Sequence, residues 1–86
     1  EFNLDPAYPN PFNPITHIGY SIPHNTMVSI TIYDLMGREV SKLVNSIQDP
    51  GYYDIEWDAS SFASGMYFIT MKTNDFEASQ KIVLIK

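Results

Sequence analysis

The sequence predicts an all-β protein, an antiparallel sandwich of about seven short strands that holds together without a disulfide. Three observations predict it. Apolar and polar residues alternate in short runs that recur about every ten residues, with turn-forming residues between them. Helical periodicity is nearly absent: the one tempting stretch, Asp34 to Val44, is interrupted by Gly37 and flanked by β-rich sequence. The 86 residues include no cysteine, so six tyrosines, five phenylalanines and one tryptophan must supply much of the burial.

The elements follow in order. Phe2 to Leu4 is a short first strand. Tyr8 to Pro14, YPNPFNP, is a proline-rich lead-in that cannot form helix and can hardly pair as a central strand. Its prolines fix φ and bias each preceding residue toward extended backbone, and Asn10 and Asn13 can turn the chain through side-chain bonds. It is expected to lie extended or turn-like outside the main ladders, with Tyr8 and Phe12 pinning it and Phe12 mostly buried.

Ile18, Tyr20 and Ile22 alternate with His17, Gly19 and Ser21, and Pro23 ends that strand. Val28, Ile30 and Ile32 alternate with Ser29, Thr31 and Tyr33. Asp34 to Gly37 is a turn, with Gly37 free to take positive φ. Arg38 to Val44 is the next strand, with Val40 and either Leu43 or Val44 inward. Gln48-Asp49-Pro50-Gly51 is a turn.

Tyr53, Ile55 and Trp57 then alternate with Asp54, Glu56 and Asp58 in the clearest half-buried strand. Ser60 to Gly65 is a small-residue corner around Phe62. Met66 to Thr73 is apolar on both faces at its start, which marks a central strand. Asn74-Asp75 turns the chain into a last strand, Glu77 to Lys86. Its run Ile82 to Ile85 predicts burial on both faces or packing against something outside the chain. Short antiparallel strands in this number and spacing indicate an immunoglobulin-like sandwich, a single domain over residues 1–86.

Composition narrows the function. The net charge is −5, and the five basic residues, Arg38, Lys42, Lys72, Lys81 and Lys86, are scattered, so there is no basic face for a nucleic acid. The longest strongly apolar run, Ile82 to Ile85, is far short of the ~20 residues of a spanning helix. No secretory signal is visible at Glu1, so export would depend either on a signal upstream in a longer parent chain or on something else that directs it.

No catalytic constellation is present. The histidines, His17 and His24, flank one strand and lack partners for a triad or a zinc site. Ser60, Ser61 and Ser64 lie in a corner, without the G-x-S-x-G frame of a nucleophile elbow. No cofactor motif is present. Asp54, Glu56 and Asp58 share one strand face and are the weak metal candidate, for calcium; the plainer reading is a solvated face. Trp57 and Tyr67 read as core, with a sugar-binding platform as the alternative. Tyr52 and Tyr53 are adjacent and must face opposite ways. Lys81 and Lys86 bracket the last strand either as gatekeepers against aggregation or as marks of a recognised tail.

Five segments in this order, YPNPFNP (8–14), THIGYSIP (16–23), VSITIYDLMGREV (28–40), GYYDIEWDASSFASGMYFI (51–69) and KIVLIK (81–86), resemble one family. It is the C-terminal sorting domain of the type IX secretion system, the type A tail on secreted proteins of Bacteroidetes and related phyla. The motif positions are Pro9, Asn10 and Pro11, then Gly37 and Arg38, Gly51 and Tyr53, Gly65 and Tyr67, and finally Lys81 and Lys86; Phe12 and Trp57 accompany them as structural residues. Departures are modest: Phe62 stands where leucine is common, His17 where threonine is, and Met36 and Met66 where other aliphatics are.

The resemblance implies a non-catalytic domain at the end of a larger exported protein, often a hydrolase, protease or adhesin. Its partners would be the parent's N-terminal domains, an outer-membrane translocon and a sortase-like protease. Its route would run through the periplasm to the cell surface or the medium. Residues 81–86 (Lys81, Ile82, Val83, Leu84, Ile85 and Lys86) are the expected recognition element, acting by strand addition or loop contacts. The D-x-x-G-R turn and the G-x-Y-x-x-x-W-[DN] strand also resemble the immunoglobulin-like domain of the flagellar hook-capping protein, which implies an assembly role. A calcium- or carbohydrate-binding appendage of a secreted hydrolase is the other alternative.

Overall fold

The computed structural model describes residues 1–86. Seven strands run in order: β1 (Asn3–Leu4), β2 (Ile15–Ile22), β3 (Thr26–Asp34), β4 (Glu39–Gln48), β5 (Gly51–Asp58), β6 (Gly65–Lys72) and β7 (Glu77–Leu84). They form a three-stranded sheet, β1-β2-β5, and a four-stranded sheet, β4-β3-β6-β7, with every neighbouring pair antiparallel. The pairing of β2 with β5, of β3 with β6 and of β6 with β7 is that of an immunoglobulin-like sandwich. The central position of β6 is the one its two apolar faces predict.

Alternation decides which side chains meet between the sheets. Ile18, Tyr20 and Ile22 of β2 face Val28, Ile30 and Ile32 of β3, Ile69 and Met71 of β6, and Ile82 and Leu84 of β7 in one buried core. Burying each such side chain contributes about 1.5–3 kcal/mol. Among the polar groups that enter the core, Tyr20 donates its hydroxyl to Gln48 Oε1 at 2.6 Å, and Thr16 donates its hydroxyl to the Pro9 carbonyl at 2.8 Å. Burial pushes the Tyr20 phenol up from its ordinary pKa, against the lowering effect of Gln48.

Three boundaries differ from the sequence reading. β4 runs on to Gln48, because Thr26 of β3 still pairs with it, so the turn shrinks to Asp49 and Pro50. Within β4 the register slips twice, opposite Ile30/Thr31 and opposite Ile32/Tyr33. Leu43 and Val40 are the extra residues, and such bulges break period-two alternation. Both are half-buried and pack on the core together with Val44, so the choice between Leu43 and Val44 does not arise. The last strand stops at Leu84; Ile85 is exposed beyond it.

Two aromatic groups close the ends. At one pole Phe12, Trp57, Phe62 and Tyr67 pack on one another, with Trp57 at 5.4–5.7 Å from each of the others. At the other pole Phe2 stacks on Phe76 at 5.3 Å and meets His24 edge-on, and His24 lies 3.5 Å from Asp75. The N-terminus therefore leaves at the pole opposite the Trp57 cluster.

Candidate functional site: the last strand and its pole

The lead-in and the last strand, at opposite ends of the sequence, are bound to each other. Residues 3–8 run beside β2: Asn3 and Leu4 pair with Ser21 and Tyr20, and Tyr8 exchanges two backbone bonds with His17 at 2.9 Å. The chain then leaves that sheet and joins the other. The Asn10 side chain donates to the Lys81 carbonyl at 3.1 Å and accepts from the Val83 N–H at 3.0 Å, a side chain standing in for a strand. Phe12 continues with backbone, its N–H to the Val83 carbonyl and its carbonyl to the Ile85 N–H, both 2.9 Å, in a parallel bridge. Gln80 ties the crossing from inside, accepting from the Ala7 N–H and donating to the Asp5 carbonyl.

YPNPFNP is thus the segment that switches sheets, with Phe12 1% exposed among the core residues. Its three X-Pro bonds are cis. The expectation for Tyr8 is corrected: its side chain is 78% exposed, and only its backbone holds the segment. A bridge partner of His17 shares His17's face of the sheet, and that face is the outer one. A second consequence concerns strand addition: Asn10 and Phe12 already occupy the outer edge of β7 from Lys81 to Ile85.

At the pole beside the Trp57 cluster several further motif residues gather. Asp34 organises the turn between β3 and β4. One carboxylate oxygen accepts the Met36 and Arg38 N–H groups at 2.9 Å, and the other accepts Arg38 Nε at 2.9 Å. Gly37 takes φ +84°, where a side chain would be strained. The Arg38 N–H, foremost, with the guanidinium and the Met36 N–H adding, holds the Asp34 carboxyl below the usual carboxylate range; partial desolvation opposes them.

The corner between β5 and β6 faces this turn. Tyr67 donates its hydroxyl to the Ala63 carbonyl at 2.6 Å, the tyrosine corner of immunoglobulin-like folds at the start of the equivalent strand. Lys86 closes on the same corner. Its ammonium donates to the Ser60 and Phe62 carbonyls at 2.7 Å, and its N–H donates to Ser64 Oγ at 3.1 Å. Between turn and corner lies a shallow concavity of about 300 Å³ bounded by Leu35, Met36, Arg38, Gly65 and Met66. Met36 is 79% exposed, Leu35 is exposed beside it, and Ile85 is exposed just past the end of β7.

The outer face of the four-stranded sheet continues that apolar surface. Register puts Met66 beside Val83 and Phe68 between Tyr33 and Lys81. Because Tyr67, Ile69, Ile82 and Leu84 point into the core, these neighbours point out, and Met66, Phe68, Val83 and Tyr33 are half-buried. Both faces of Ile82 to Leu84 are therefore apolar, one toward the core and one toward this strip. Lys81 is exposed at its margin.

The other motif residues stand elsewhere. Gly51 and Tyr53 lie at the opposite pole, where Tyr53 donates to the Asp49 carbonyl at 2.7 Å and stacks on Tyr20. Asp54, Glu56 and Asp58 stand exposed along β5. Asp58 binds Ser60, whose hydroxyl and then its N–H lower the Asp58 pKa, and no three acidic or histidine side chains converge closely enough to hold a metal ion. His17 and His24 are far apart, one on the outer face of β2 and one at the N-terminal pole. Trp57 and Tyr67 are core, not a platform. Sequence reasoning missed the roles of Gln80 and of the Asn10 side chain, both of which act across the full length of the chain and leave no local signal.

The family described as secretion system C-terminal sorting domain matches residues 6–86. Comparison with curated proteins returns no match. The matched span begins just ahead of the lead-in and runs through the last strand to Lys86, so it takes in both partners of the sheet switch and the whole of the pole. The chain belongs to the family of secretion system C-terminal sorting domains, the type IX tails that its segments resemble.

Proposed function

We propose that this domain is a folded, non-catalytic export signal that directs a larger parent protein across the outer membrane through the type IX machinery. The parent passes through the periplasm, reaches the cell surface or the medium, and is open to cleavage there by a sortase-like protease. Residues 1–86 act as one C-terminal domain. The translocon contacts the C-terminal pole and the apolar strip: Lys81, Val83 and Ile85 with Leu35 and Met36, while Ile82, Leu84 and Lys86 hold that surface in shape.

The observation that carries the proposal is the gathering of Pro9 to Phe12, Gly37, Arg38, Gly65, Tyr67 and Lys86 at the pole opposite the N-terminus. A parent domain joined at Glu1 leaves that pole uncovered. Recognition through side chains of the strip fits better than strand addition, because the edge of β7 is already paired from Lys81 to Ile85.

Deleting residues 81–86 is a poor test, because it removes Ile82 and Leu84 from the core. Surface variants separate signal from fold. A reporter with a Sec signal, fused ahead of residues 1–86 in a type IX-competent bacterium, is expected to reach the cell surface. Met36→Ser with Ile85→Ser, and separately Lys81→Ala, are expected to leave the thermal melt of the isolated domain in place and reduce surface reporter. Undiminished export from all of them would move the recognition surface elsewhere; no export of the parent fusion would reject the sorting role.

A further inference from the structure

The outer face of the three-stranded sheet carries a groove that the sorting role does not use. It is an open concavity of about 440 Å³ along β2, with His17 and Gly19 as its floor. Asp5 and Tyr8 of the lead-in form one wall, and Tyr52 and Asp54 of β5 form the other. Two large aromatics that a small domain could have buried are left in the open here: Tyr8 at 78% and Tyr52 at 64% exposure.

Tyr52 is held in place. It pairs with Ser21 and leans diagonally across Gly19 to donate its hydroxyl to Asp5 Oδ2 at 2.9 Å. A Cβ at position 19 would lie 2.0 Å from that hydroxyl and 2.9 Å from the ring carbon bearing it, so only glycine lets the ring settle there. One side of the ring therefore rests on bare backbone and the other faces solvent. Donation to a carboxylate makes the phenol ring more electron-rich, and it is this hydrogen bond, foremost, that raises the Tyr52 pKa.

The charged groups beside the ring are one-sided. Asp5 and Asp54 are acceptors only, and Glu56 stands opposite His17 at the end of the groove. No lysine or arginine lines it. A sugar presents hydroxyls that both donate and accept; the carboxylates of this lining answer only the donors, and His17 and Tyr8 are the donors left for the acceptors. A planar cation with donors alone satisfies ring and carboxylates together, and a guanidinium fits that description better than an ammonium.

We propose that this groove binds an arginine side chain of a partner protein, its guanidinium stacked on the open face of Tyr52 and its N–H groups donated to Asp54 and Asp5. Tyr8 flanks the arginine stem. The ring and the Asp5 carboxylate are already ordered, so little side-chain freedom is lost on binding. The groove lies on the opposite sheet from β7, so the proposal stands or falls independently of export.

The test is a titration of the ¹⁵N-labelled 86-residue domain with N-acetyl-arginine-N-methylamide at low ionic strength, followed by amide shifts. Saturable shifts are expected at His17, Gly19, Tyr52 and Asp54, and weaker ones with the lysine analogue. Tyr52→Leu and Asp54→Asn are each expected to weaken binding about two- to fivefold. Gly19→Ala, which displaces the ring without touching the core, is expected to weaken it by at least as much; the same spectra report that each variant is folded. Shifts spread equally over Glu39, Asp75 and Glu77 would mean unspecific attraction and overturn the proposal. So would binding indifferent to Tyr52→Leu, or shifts of these amides by methyl glucoside but not by the arginine probe.

Discussion

Gly37 and Asp34 show how much of a turn can rest on two residues. Gly37 at φ +84° meets nothing within 4 Å, so a methyl group there would cost conformation and not space. Gly37→Ala is expected to destabilise the domain by about 1–2 kcal/mol, which in a domain of this size lowers Tm by about 4–16 °C. An unchanged melt would show that the turn relaxes freely. Asp34 gives the turn a pH dependence. Its folded pKa is depressed, so its contribution is complete above the unfolded value near 4 and is lost as pH falls through the folded value. Asp58, depressed by Ser60, acts in the same direction. The urea midpoint is expected to fall between pH 5 and pH 2, in the window roughly set by ordinary carboxylates. The fall should be smaller in Asp34→Asn, and an equal fall in both proteins would remove Asp34 from the account. At this scale the sequence was informative: Gly37 and the D-x-x-G-R spacing announce the turn, because all its bonds lie within five residues.

Among the elements, the lead-in and β7 depend on each other. Asn10 contributes two side-chain bonds to β7, and Phe12 contributes two backbone bonds and a buried ring. Phe12→Ala is expected to cost about 3–5 kcal/mol, a large share of the roughly 0.05–0.15 kcal/mol per residue that such domains possess. Asn10→Ala is expected to cost less, about 0.5–1.5 kcal/mol for each bond lost. Chemical denaturation measures both, and a Phe12→Ala loss no larger than that of Asn10→Ala would mean the ring is not the anchor. The strands themselves were legible because alternation is local. β4 was the exception, since bulges at Val40 and Leu43 erase the period that reveals a face. Tyr8 misled for a related reason: an aromatic among prolines suggests a pin, but its register opposite His17 turns it outward.

The whole molecule, 37 Å along its longest axis, has two unlike poles. Phe2, His24 and Phe76 close the pole of the N-terminus, and Phe12, Trp57, Phe62 and Tyr67 close the pole that carries most of the motif residues. The sandwich class followed from composition and strand spacing. The polarity did not, because it depends on contacts between residues as far apart as Asn10 and Val83, 73 positions along the chain. The candidate site was half legible for the same reason: residues 81–86 were singled out, while Leu35, Met36 and Met66 join them only in three dimensions.

The bond between the lead-in and the last strand makes synthesis through β7 a condition of folding. A ribosome that stops at residue 80 releases a chain whose Asn10 and Phe12 have no strand to bind and whose core lacks Ile82 and Leu84. Residues 1–80 are expected to show no cooperative thermal transition by circular dichroism, against a sharp one for residues 1–86; a cooperative melt of the shorter chain would refute this. A fold that forms only when residues 81–86 are present reports that the message was read at least that far. If the proposed export role holds, a parent terminated ahead of β7 would carry no folded signal, with no separate inspection step needed.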